Sequence, residues 1–98
     1  MDDVIEPAAA DFQLPRILAA LADPHRLATV RYVAVHGESW CGLVMQEAGL
    51  AMSKSTFSHH LRILREAGLI DCEKRGVWAY YWATKDGSEW LSAVKGLR

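Results

Sequence analysis

The run SKSTFSHHLRILREAGLI, from Ser53 to Ile70, specifies one helix with a start, a stop and two unlike faces. Ser53 is a natural N-cap, because its hydroxyl oxygen can accept from a free backbone N–H of the first turn. Gly68 stands where a helix ends in a left-handed residue, and Leu69-Ile70 begins an extended segment. At about 100° per residue, Phe57, Leu61 and Leu64 fall on one side at i, i+4 and i+7. The other side carries Ser55, Ser58, His59, Arg62 and Glu66. Small hydroxyls come first, then an imidazole and a guanidinium, near the positive end of the helix dipole. Such a face can approach phosphates and base edges closely. On a lone helix a polar face is more often simply solvated, so its surroundings must decide.

A chain of 98 residues allows one domain with a single modest core. With 51% apolar and 23% charged residues it is a folding chain, not a disordered one. No apolar run approaches the roughly 20 residues needed to cross a bilayer. The acidic start, Met1-Asp2-Asp3-Val4-Ile5-Glu6, lacks the basic opening of a secretory signal, which makes the cytoplasm the expected compartment. Cys41 and Cys72 make no disulfide framework and read as free thiols. A net charge of −1 does not announce a nucleic-acid partner. Its distribution says more. Residues 1–50 carry seven acids and three Arg, a balance of −4, whereas residues 51–98 carry eight Lys/Arg and five acids, a balance of +3. Phosphate binding needs a local basic patch, and the positive half holds the Ser53 helix.

Residues 1–11 are acidic and alanine-rich, with Pro7, and read as a mobile arm ahead of a single domain over 12–98. From Phe12, Leu14, Ile17, Leu18 and Leu21 predict a helix, with Pro15 tolerated as part of its first turn. Asp23-Pro24 then gives an N-cap followed by proline at the first helical position. This second helix runs to about His36, and Gly37 ends it. Ser39 to Ala48 reads as a short third helix, joined through Gly49 to the Ser53 helix in the manner of a helix-turn-helix. After Gly68 the pattern alternates: Ile70 and Cys72 against Asp71 and Glu73, a turn at Lys74-Arg75-Gly76, and an aromatic strand over Val77–Thr84. Thr84 or Asp86 caps a closing helix. The expected fold is mainly α with a β-hairpin wing, in the order α-α-α-α-β-β-α, a winged helix-turn-helix.

Several of these segments match a known pattern. Leu21-Ala22-Asp23-Pro24-His25-Arg26-Leu27 resembles the start of the second helix in ArsR-type winged-helix repressors, and Ser53–Ile70 resembles that family's recognition helix and its exit. Arg75-Gly76 and Tyr81 are similar to its wing. The resemblance extends from Pro15 to Thr84. It implies a homodimeric, cytoplasmic, operator-binding transcriptional repressor, released by a metal ion or another signal. Many members hold metal through a Cys-x-Cys pair on the third helix, but here that region reads Trp40-Cys41-Gly42-Leu43-Val44. Others use Asp, His and Glu on the last helix, where this chain has Asp86 and Glu89 and no His after His60. The metal-sensing role is therefore not carried over, and neither metal nor cofactor is expected.

On this reading Ser53, Lys54, Ser55, Thr56, Ser58, His59 and Arg62 meet double-stranded DNA in the major groove, with Thr56 or His59 reaching base edges. Lys74 and Arg75, at the hairpin tip, bind phosphate or the minor groove; otherwise they only keep an edge soluble. His60 flanks the apolar stripe and is expected to be a buried or half-buried structural histidine, not a DNA contact. Successive helix positions point about 100° apart, so His59 and His60 cannot readily share an ion. Cys41 is the better sensor candidate of the two thiols, although a free cysteine is commonly a small buried hydrophobe. The Trp78, Tyr80, Trp82 face offers core packing or an aromatic effector pocket, and core packing is the usual role. The expected dimer interface joins Phe12, Leu14, Ile17, Leu18 and Leu21 to Trp90, Leu91, Val94 and Leu97. No paired-carboxylate, nucleophile–base or phosphate-loop pattern points to an enzyme. The alternative is a protein–protein module on the same scaffold without DNA binding. Operator and effector are not legible.

Overall fold

The computed structural model describes residues 9–47 and 51–95, with side chains for 13–47 and 51–93. Helix α1 spans Ala9–Leu21 and α2 Pro24–His36. Strand β1 is Ser39–Trp40, α3 is Cys41–Glu47 and α4 is Lys54–Glu66. Strands β2 (Ile70–Arg75) and β3 (Trp78–Ala83) lead to α5 (Lys85–Lys95). The winged helix-turn-helix order is present, with one strand more than expected. None of the described helices is long and apolar enough to cross a membrane.

The first helix starts earlier than its apolar pattern predicts. Ala9 and Ala10 are helical, so residues 9–11 belong to α1 and not to an arm, and Pro15 lies mid-helix. Alanine has the highest helix propensity and carries the helix back past the apolar stripe, so that Pro15 forfeits an interior backbone bond. Residues 1–8 of the expected arm lie outside the described residues.

Helix α2 begins as the sequence dictates. The Asp23 carboxylate accepts from the backbone N–H of His25 at 2.8 Å and of Arg26 at 3.1 Å, with Pro24 at the first position. Arg26 then reaches backwards, donating from Nε to Ala20 O at 2.8 Å and from a terminal nitrogen to Ala19 O at 3.2 Å. These are carbonyls that the end of α1 leaves without helical partners. Gly37 closes α2 at φ +78°, its N–H donating to Val33 O.

Ser39 and Trp40 are not helical. They pair antiparallel with Tyr81 and Tyr80, giving a three-stranded sheet in the order β1-β3-β2. The free edge of β3 offers a backbone ladder that two residues can join, and Ser39 is buried by doing so. Helix α3 is accordingly shorter than expected. In the hairpin, Lys74 and Arg75 pair with Ala79 and Trp78 and so lie in the ladder, not in the turn. The turn is Gly76-Val77, with Gly76 at φ +65° in the first central position.

The core gathers Val30 and Val33 from α2, Val44 from α3, Phe57, Leu61 and Leu64 from α4, then Leu69, Ile70 and Leu91. Helix α4 leaves this core through a Schellman ending: Leu69 N–H donates to Leu64 O at 3.0 Å and Gly68 N–H to Arg65 O at 2.9 Å, with Gly68 at φ +78°. Helix α5 is seated by Thr84. Its hydroxyl donates to Gly68 O at 2.7 Å and accepts from Gly87 N–H at 2.9 Å. At Gly87 the two segments touch, since a Cβ there would lie 1.9 Å from Leu69 O. Gly87→Ala is therefore expected to cost about 1–3 kcal/mol, read as a lower urea midpoint at unchanged m. A midpoint equal to that of the native chain would show that α5 can shift away freely.

Candidate nucleic-acid interface

Helix α4 is held by its apolar stripe. Phe57, Leu61 and Leu64 are buried, whereas Ser53, Lys54, Ser55, Thr56, Ser58, His59 and Arg62 are all exposed. The Ser53 hydroxyl oxygen accepts from Thr56 N–H at 3.2 Å, as an N-cap should. It also donates to Thr56 Oγ1 at 2.9 Å and lies 3.3 Å from Ser55 Oγ. Thr56, accepting there, keeps its own proton for an acceptor outside the protein. One turn on, an Arg62 terminal nitrogen lies 3.0 Å from His59 Nδ1, and Arg62 Nε lies 3.8 Å from Glu66 Oε1. The exposed face thus presents hydroxyls at the helix start and a guanidinium braced along the helix. Glu66, also exposed, places a negative charge one turn beyond Arg62.

His60 points elsewhere. It is half-buried, and its Nδ1 lies 3.0 Å from an Arg26 terminal nitrogen. Burial holds the imidazole below its ordinary value; the Asp23 carboxylate pulls the other way, and Arg26 adds to the depression. A neutral ring can accept from Arg26, so α4 is tied to α2 and, through Arg26, to the end of α1.

The wing differs from its sequence reading. Arg75 is exposed but engaged: both terminal nitrogens donate to the Glu38 carboxylate, Nε donates to Glu73 Oε1 at 3.0 Å, and the guanidinium stacks 4.7 Å from the Tyr80 ring centroid. The bond from Arg75 holds the Glu38 carboxyl below its usual range. Lys74, also exposed, makes no ion pair among the described residues. Glu38 was not found by sequence reasoning, because nothing at a separation of 37 residues marks it as a partner of Arg75. On the aromatic strand Tyr81 and Ala83 pack against the core, and Tyr80 and Trp82 alternate with them. Trp78 is 50% exposed and meets Trp40 edge-on, centroids 5.0 Å apart. Alternation fixes that one face is buried but not which one.

Residues 16–73 match the family model described as a helix-turn-helix domain. The chain is 33% identical over 84 residues to the arsenic resistance transcriptional regulator ArsR1 of Pseudomonas putida, a match covering 85% of this chain and 64% of that one. It is 34% identical over 70 residues to the uncharacterized HTH-type transcriptional regulator MJ1325 of Methanocaldococcus jannaschii, covering 71% of this chain and 76% of that one. This chain belongs to the ArsR-type winged helix-turn-helix family. The fold agrees. The transcriptional repressor BigR of Xylella fastidiosa superposes with a TM-score of 0.73 at 25% identity, covering 88% of this chain and 86% of that one. The homodimeric winged helix-turn-helix DNA-binding domain Mb0332 of Mycobacterium bovis gives 0.79 at 25% identity, covering 99% and 89%.

Within this ArsR-type chain the remaining candidates divide. Cys41 and Cys72 are free and half-buried. Asp23, His25 and His60 place ligand atoms within 4.8 Å of one another. Asp23 Oδ1 already caps α2, however, and the His60 Nδ1 lone pair faces Arg26, whose charge opposes a cation. Of the expected dimer residues, Leu21 and Leu91 are buried in this chain's own core, because the end of α1 and the middle of α5 pack there. Leu14, Ile17 and Trp90 are half-buried, Ile17 and Trp90 packed against the core, and Leu18 is 48% exposed. The side chains of Phe12 and Val94, and Leu97 altogether, lie outside the described residues.

Proposed function

We propose that this chain is a sequence-specific DNA-binding repressor, acting in the cytoplasm as a homodimer and without catalytic activity. The observation that carries the reading is the complete exposure of the polar face of α4 above a fully buried apolar stripe. Two such helices would enter successive major grooves roughly 34 Å apart on an imperfectly two-fold operator. Lys54, Arg62 and Lys74 would contribute phosphate contacts, and Thr56 and His59 would choose among sequences. Leu14, Ile17, Leu18 and Trp90 would join the protomers. Arg75 plays a different part from Lys74: clamped by Glu38 and Glu73, it sets the pose of the wing.

Selection of bound duplexes from a random pool tests the reading. An enriched, two-fold related motif is expected, and Thr56→Ala or His59→Ala should flatten the preference at particular positions by about 1–3 kcal/mol each. Capture of no duplex even at low salt would leave the interaction-module reading. Glu38→Gln should tighten binding to all duplexes and steepen the log–log salt dependence by up to about one unit per protomer, as Arg75 is released. An unchanged slope would show that the clasp survives on Glu73 alone.

A further inference from the structure

A concavity of about 330 Å³ opens between α3, α4 and the hairpin. Its walls are aromatic and aliphatic: Trp40, Phe57, Trp78 and Tyr81, with Met45 and Leu61 beneath. Most sites of this size that bind small molecules are apolar clefts with a few placed polar groups. Here the lining residues that can supply such groups are Cys41, Ser58 and Lys54, and no acid lines the space among the described residues. The wall is preformed. The Trp40 indole lies over Gly42, where a Cβ would come within 2.5 Å of Trp40 Cη2, and Trp78 braces it edge-on.

We propose that this concavity is an effector site for a small planar aromatic acid, its ring against Trp40 and Trp78 and its carboxylate paired with Lys54. Aromatic walls favour a flat ring through stacked and edge-on contacts. A lone cation in an acid-free lining favours an anion over the neutral ring. The volume, at the lower end of the range for ligand sites, sets the size at one or two fused rings. Lys54 and Ser58 belong to α4, and Val77 and Trp78 to the wing, so an occupant bridges the two elements that meet DNA. Pairing Lys54 with a carboxylate withdraws a phosphate contact, and by linkage the acid and the duplex each weaken the other's binding. This coupling rests on the DNA-binding reading; the site itself does not.

The test is a titration of the ¹⁵N-labelled full chain with indole-3-carboxylate, with indole as the neutral probe. Saturable shifts centred on Trp40, Lys54 and Trp78 are expected, with the acid bound up to about fivefold more tightly than indole, the scale of a partly exposed ion pair. Lys54→Gln should erase that preference while the ring still binds. Gly42→Ala, by displacing the Trp40 indole, should weaken both probes. Equal affinities for acid and indole in the native chain, or shifts scattered over the surface, would overturn the site. In a second arm, saturating acid should weaken capture of the selected duplex by a comparable factor, and unchanged capture would overturn the coupling. Failure of the chain to bind any duplex without acid would count against the DNA reading and leave the titration to judge the site.

Discussion

Replacing Lys54, Arg62 and Lys74 together by glutamine is expected to flatten the salt dependence of operator binding by about five log–log units for a dimer. Each cation–phosphate pairing contributes roughly 0.9 of a unit to the slope, and the dimer presents the trio twice. All three side chains are exposed, so the variant should fold as the native chain does. The weakening should be nearly uniform across sequences, since phosphate contacts position the protein without reading bases. Filter binding between about 50 and 200 mM salt would measure it. A slope unchanged within error would mean that other cations carry the affinity, with Arg65 on α4 the first to examine.

Leu64→Ala should have the largest effect on stability, about 2–5 kcal/mol. Leu64 is fully buried, in a core that draws on α2, α3, α4, α5 and the start of β2. It also supplies the carbonyl that accepts from Leu69 where α4 turns into the sheet. For a domain whose total stability lies at about 5–15 kcal/mol, this is a large share. The melting temperature should fall by at least about 10 °C. DNA binding at low temperature should persist in the fraction that remains folded, because the exposed face is untouched. A change below about 1 kcal/mol would mean that the surrounding side chains collapse into the space.

The order of elements and the polar face of α4 were legible because both follow from local rules. Asp23-Pro24, Ser53 and Gly68 are start and stop signals whose chemistry acts within one turn. The half-burial of His60 followed from its place on the helical wheel. Apart from the early start of α1, which alanine propensity explains, the departures came from contact between distant residues. Ser39 and Trp40 looked helical until an open edge on β3 gave them a ladder. Arg75 looked like a free cation because Glu38 is remote in the chain, and Leu21 looked like interface until α1 was seen folded on the core. The aromatic strand could be assigned from its content, but the face it buries depended on what lay beneath.

Arg26 occupies the junction of three helices: it satisfies the last carbonyls of α1, lies in the first turn of α2 and meets His60 on α4. A single guanidinium therefore acts as a linchpin between the helix that carries Leu18 outward and the helix that offers Thr56 and Arg62. Truncating that one side chain would loosen the end of α1, the start of α2 and the middle of α4 from one another at once, with Val30 and Leu64 left in the core.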